Sequence, residues 1–167
     1  PITVRHVLSH PSGLSIRPPT PPRGGQTRTR PTTLAEAVDL AADVPLAFHP
    51  GDEWQYGAST DYVAILVEKI SGMSLDDFLR ERIFEPLGMT RSFLYENAER
   101  IVHGRATGYA PDGADGYRMV HNYPFATAGD GQLYTTVGDL LRWSHALMSD
   151  AVSGPELGEV MLSPGTL

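Results

Sequence analysis

Apolar residues recur at three- and four-residue intervals along most of the chain, and the intervals predict helices. Val4, Val7 and Leu8 fall at i, i+3 and i+4 behind a capping Thr3, with Pro11 and Ser12-Gly13 ending the segment. Thr33 and Glu36 form a T-x-x-E capping box ahead of Leu34, Ala37, Val38 and Ala41, and Pro45 closes that helix. After a turn at Pro50-Gly51, residues 54–60 lead into a helix through Tyr62, Val63, Ile65, Leu66, Val67 and Ile70. Apolar residues surround it, which predicts the central buried helix, and Ser71-Gly72 stops it. Ser74 and Asp77 start another, with Leu75, Phe78, Leu79 and Ile83 as the inner stripe, Asp76 and Arg80 paired outside, and Pro86 and Gly88 beyond its end. Thr136 and Asp139 cap a helix bearing Leu140, Leu141, Ser144, Leu147 and Met148, and Pro155 opens a last short one with Leu157, Val160 and Met161. Period-two signals are confined to residues 105–110 and 117–121, which flank residues 111–116 and predict a hairpin or longer β-loop. Residues 17–31, rich in Pro, Gly, Arg and Thr, offer no apolar burial and predict an exposed loop. The pattern is mainly α with minor β, without repeats or heptads.

At 167 residues the chain suits one domain. Its formal net charge of −7, with 13 Lys and Arg residues of which Lys69 is the only lysine, argues against a nucleic-acid surface. Without cysteine it has no disulfide framework and no thiolate metal site. The longest apolar run, residues 62–67, is far shorter than the ~18–20 residues of a membrane span. No basic-then-apolar leader opens the chain, and the compartment stays open. Pro1 stands where an initiator methionine would, so the chain reads as cut from something longer.

Individual residues carry modest signals. His6 and His10 have the i, i+4 spacing of a helical zinc pair, but Val7 stands where H-E-x-x-H places its base and no third ligand follows, so a structural role is expected. Gly129-x-Gly131 opens like a phosphate loop, yet Tyr134 occupies the third glycine's place; it predicts a turn before a helix. Ser9 and Ser12, near a helix end, are expected to bond locally. G-x-S-x-G does not occur, which argues against an α/β-hydrolase elbow. Asp112 and Asp115 have too few oxygens around them for a calcium loop. No metal or cofactor is expected. Tyr56, following Trp54 on a turn, would ordinarily be a packing residue with a wet hydroxyl.

Four stretches change that reading. Residues 2–14 (ITVRHVLSHPSGL), 48–56 (FHPGDEWQY), 71–75 with 82–90 (SGMSL and RIFEPLGMT), and 129–136 with Asp139-Leu140 (GDGQLYTT) together resemble the serine β-lactamase-related, penicillin-binding-protein-like family of class C β-lactamases, D-alanyl peptidases and related esterases. They fall in the family's order. The resemblance implies that the chain is a single partial domain over residues 1–167, the helical region of an incomplete β-lactamase/transpeptidase-like α/β fold. It implies acyl transfer, in which a serine attacks a carbonyl and water releases the acyl-enzyme.

The family's three motifs fare differently. S-x-x-K sets nucleophile and lysine one helical turn apart; no serine here has a lysine three residues on, and Leu66 precedes Lys69 at that spacing. The second motif, Y-x-N or a variant, supplies a tyrosine that can act as base beside positive charge. It reads Tyr56-Gly57-Ala58, which implies Tyr56 as the catalytic tyrosine and Ala58 at the substrate-binding position of the family's asparagine. Losing that amide disfavours β-lactam or peptide turnover, and residues 56–61 look closer to the tyrosine region of family esterases. K-T-G is missing, Ala106 preceding the only Thr-Gly pair, Thr107-Gly108. Truncation is the expectation, with S-x-x-K upstream of Pro1 and K-T-G downstream of Leu167. The implied partners are a small-molecule ester, amide or peptide substrate and the missing remainder of the domain. Alone, the chain should be nearly inert and expose an apolar patch that promotes weak stability or self-association. The alternative is a non-catalytic module that keeps the scaffold to bind a peptide, a cell-wall fragment or a protein.

Overall fold

The computed structural model describes residues 1–14, 34–42, 44–57, 59–94, 101–113, 116–120 and 129–164. The expected loop at 17–31, the Thr33 cap and Ala58 lie outside these residues. Among the described residues six α-helices form: α1 (Val4–Leu8), α2 (Leu34–Ala42), α3 (Ser59–Ser71), α4 (Leu75–Leu79), α5 (Val137–Met148) and α6 (Gly154–Leu162). Four short strands accompany them, β1 (Phe93–Leu94), β2 (Gly108–Asp112), β3 (Gly116–Val120) and β4 (Leu133–Tyr134). The mainly α reading with minor β holds.

Local chemistry explains the helix ends. The Thr3 hydroxyl accepts from the His6 N–H at 3.3 Å, and His6 Nδ1 accepts from the Thr3 N–H at 3.2 Å, so a histidine takes the acid's usual part in a capping box. Ser71-Gly72 ends α3, Gly72 entering the left-handed region at φ 71°. Ser74 caps α4 through the Asp77 N–H at 3.1 Å, and Glu68 Oε1 reaches over from α3 to accept from the Leu75 N–H at 3.0 Å. Beyond Leu79 the helix widens into a π-helical turn, Arg80–Phe84, which seats Phe84 and the following Met89 in buried positions. Arg80 does not pair with Asp76 as expected. Its guanidinium binds Asp77, Glu81 and Glu85 at 2.7, 3.0 and 3.0 Å, while Asp76 accepts from the Leu94 N–H.

The core gathers Leu34, Ala64, Ile65, Leu75 and Leu94, with Val38, Val67 and Leu79 against it. Helix α3 packs on α1, α2 and α4, as a central helix should, but it is not buried on all sides. Ile70, in its last turn, is 83 % exposed. The hairpin forms with shifted ends: β2 and β3 pair from Gly108↔Val120 to Asp112↔Gly116, so Pro111 and Asp112 belong to a strand rather than to the turn. Unforeseen is the β1–β4 pair, Phe93↔Tyr134 and Leu94↔Leu133, with the two rings stacked 5.7 Å apart.

Asp139 locks this pair to α5. Its buried Oδ2 accepts from the Arg91 N–H at 2.8 Å and the Ser92 hydroxyl at 2.9 Å, while Oδ1 accepts from Arg142 at 3.1 Å. Ser92 and Thr135 share a further hydrogen bond of 2.7 Å. Helices α5 and α6 leave Leu140, Leu141, Met148, Leu157, Val160 and Met161 exposed. Among the described residues no helix is long and apolar enough to cross a membrane.

Candidate active site around Tyr56

Residues 47–57 run beside residues 10–14 and are bonded to them along their length. Ala47 N–H donates to Gly13 O at 2.9 Å, Gly51 N–H to Pro11 O at 2.8 Å, and Gln55 N–H to His10 O at 3.3 Å. Two glycines permit the approach. A Cβ on Gly13 would meet Phe48 O, and one on Gly57 would meet Leu14 O. Behind them Ser12 and Ser59, both fully buried, share a hydrogen bond of 2.8 Å, and Ser12 Oγ also accepts from the Leu14 N–H. Ser12 therefore serves a long-range tie as well as the local bond expected of it. Ser9 bonds only locally, donating to Arg5 O at 2.7 Å.

Tyr56 emerges from this clamp at the entrance to α3. It is 62 % exposed, its ring stacked on His10 at 5.7 Å and 17°, while Trp54 meets the same imidazole edge-on at 5.8 Å. The expected helical spacing of His6 and His10 is not realised, because α1 ends at Leu8 and His10 takes a left-handed φ of 69°. His6 is spent on its capping box and His10 on the aromatic stack. Lys69 stands in the last turn of α3, roughly 15 Å along the helix axis from Ser59, and so at the end away from Tyr56.

Asp61, in the first turn of α3, was missed as a functional candidate. It is 5 % exposed, and its Oδ1 accepts from the Gly129 and Asp130 N–H groups at 3.2 Å each. Burial, and then the charge of Asp130, raise its carboxyl to about 6 against the pull of those two N–H groups. Burial, then Asp61's charge, likewise pushes the Tyr62 phenol up. The signal in sequence was an acid three residues into a helix otherwise apolar on most sides. Gly129-Asp130-Gly131 makes the expected turn ahead of β4 and α5, and its first amides are spent on Asp61.

The Beta-lactamase family model matches residues 1–164. Among curated relatives, penicillin-binding protein 4* of Bacillus subtilis is 31% identical over 98% of this chain and 39% of its own length. The lovastatin esterase of Penicillium rubens is 32% identical over 66% of this chain and 29% of its own. The chain thus spans about two fifths or less of these relatives. The solved penicillin-binding protein of Bacillus halodurans superposes with a TM-score of 0.82 at 20% identity, covering 98% of this chain and 52% of that one, which shows the shared fold. The match to the Beta-lactamase family model over nearly its whole length places this chain in the Beta-lactamase family.

Proposed function

We propose that this chain is the tyrosine-bearing, helical part of a serine hydrolase that cleaves esters through an acyl-enzyme, with Tyr56 as general base and the S-x-x-K serine contributed by sequence preceding Pro1. The observation that carries the reading is the placement of Tyr56: an exposed phenol on a segment held by three backbone hydrogen bonds to residues 10–14 and by the buried Ser12–Ser59 pair. Rigid support under an exposed reactive group is what positional catalysis requires. In the proposed reaction Tyr56 acts as its phenolate beside the S-x-x-K lysine: the serine Oγ forms a bond to the ester carbonyl carbon, the carbonyl π electrons move onto its oxygen, and the serine proton passes to the phenolate oxygen. That proton then goes to the departing alkoxide as the carbon–oxygen bond breaks. Water repeats the sequence to release the acid. Ala58 at the asparagine position supports an ester rather than a β-lactam or peptide, and esterase and acyltransferase names among the relatives agree.

The test is hydrolysis of a p-nitrophenyl ester series by the protein carrying both this chain and the preceding serine. Tyr56→Phe should lower kcat by roughly 100-fold or more with KM little changed. Unchanged kcat would remove Tyr56 from the reaction, and absence of turnover in the wild-type protein would leave the scaffold as a binding module.

A further inference from the structure

Of the two aspartates buried among the described residues, Asp139 is occupied in holding α5 to β1, whereas Asp61 lies five residues beyond Tyr56 and reaches a different loop. A carboxyl near a helix N-terminus commonly stays in water and interacts with its own helix. Asp61 instead turns inward, and one of its oxygens receives two N–H groups from the turn at residues 129–131. The turn is in backbone contact there. A Cβ on Gly129 would lie 2.6 Å from Asp61 Cα, 2.6 Å from Thr60 O and 2.8 Å from Ala64 Cβ, so the approach needs glycine. The first turn of α3 is held on its other side by Ser59 against Ser12. The titratable groups that interact with Asp61 are Asp130, from the turn it holds, and Tyr62, next along its helix.

We propose that Asp61 is a positioning residue of the tyrosine site: by tying the first turn of α3 to the Gly129–Asp130 turn, it holds Tyr56 and residues 129–131 at a fixed separation. The proposal rests on the acyl-transfer reading above. It assigns no bond-making to Asp61, which acts through the helix start and the turn. Its requirement is an acceptor at Oδ1, and the burial of a carboxyl beside Asp130 is tolerated because the two N–H groups would otherwise be left unpartnered.

The test compares Asp61→Ala and Asp61→Asn in the full-length protein, by ester turnover and by amide hydrogen exchange at Gly129 and Asp130. Asn keeps an oxygen at the acceptor position, and Ala does not. Asp61→Ala should lower kcat by roughly 10- to 100-fold, the scale of a displacement near 1 Å, while KM moves by less than a few-fold. Its Gly129 and Asp130 amides should exchange faster, and Asp61→Asn should restore both readouts to within a few-fold. If Asp61→Ala does not fold, Asp61→Glu moves the acceptor by one methylene and should give the same fall in kcat at unchanged KM. Wild-type turnover in Asp61→Ala while Tyr56→Phe is inactive would overturn the Asp61 proposal alone. Equal loss in Asp61→Asn and Asp61→Ala, or unaltered exchange at the two amides, would overturn it as well. Intact turnover in Tyr56→Phe would instead sink the reading of Tyr56 as general base on which the proposal rests.

Discussion

Replacing Asp139 with alanine should unfold the β1–α5 junction before any other part of the protein is touched. Its side chain is 2 % exposed and accepts from three donors, the Arg91 N–H, the Ser92 hydroxyl and the Arg142 guanidinium. The three losses are unequal. Arg142, half exposed, regains water and costs no more than about 1 kcal/mol. Ser92 keeps Thr135 as a partner. The Arg91 N–H is left unpartnered, at about 1–3 kcal/mol, and the helix start at Thr136 loses an acid placed favourably near its dipole, about 0.5–1 kcal/mol. The sum is about 2–5 kcal/mol, which corresponds to roughly 10 °C in Tm for a protein of this size or somewhat larger. Urea and thermal unfolding followed by circular dichroism measure it, with Arg142→Ala as the control that removes only the exposed partner. A loss below about 1 kcal/mol in Asp139→Ala, or an equal loss in Arg142→Ala, would refute the reasoning.

Two further outcomes are expected. Ser12→Ala and Ser59→Ala should each cost about 1–2 kcal/mol by leaving a buried hydroxyl unpartnered, and the double variant should cost clearly less than their sum; strict additivity in chemical unfolding would exclude the pair as a coupled unit. The folded-state value of Asp61, about 6, lies above its ordinary 3.8, so the folded protein binds the extra proton. The stability this contributes is fully present below about 3.8 and disappears as pH rises through about 6. Unfolding free energy of the wild type relative to Asp61→Asn should therefore fall by about 1–3 kcal/mol between pH 4 and 7, and a flat or rising difference would contradict the burial argument.

Much of the helical layout was legible because it is written in short-range chemistry. Thr3 caps a helix ahead of its apolar run, Ser74 and Thr136 cap helices where an acid three positions on predicts caps, and Gly72 and Pro155 mark an end and a beginning. What escaped depends on contacts between residues far apart in sequence. The pairing of β1 with β4 links residues about 40 positions apart through only two residues on each side, too short for a period-two signal. Asp139 read as a capping-box acid and is also a long-range acceptor. Ser12 and Asp61 became visible only once Ser59 and Gly129 were brought beside them. Asp76 and Arg80 have pairing spacing on an ideal α-helix, but the helix widens from Arg80 onward and Arg80 turns to Asp77, Glu81 and Glu85. For the candidate site, Tyr56 was found through four family-like stretches in order, since a tyrosine after a tryptophan on a turn has no distinguishing chemistry of its own.

The central claim is that Tyr56 serves a serine lying outside this chain. Fluorophosphonate labelling read by intact mass, on this chain and on a version extended upstream through the next S-x-x-K, tests it most directly. The account predicts one adduct on the extended protein, none on the short chain, and loss of the adduct in the extended Tyr56→Phe variant. An adduct on the short chain, or one on the extended protein that survives Tyr56→Phe unchanged, would contradict it.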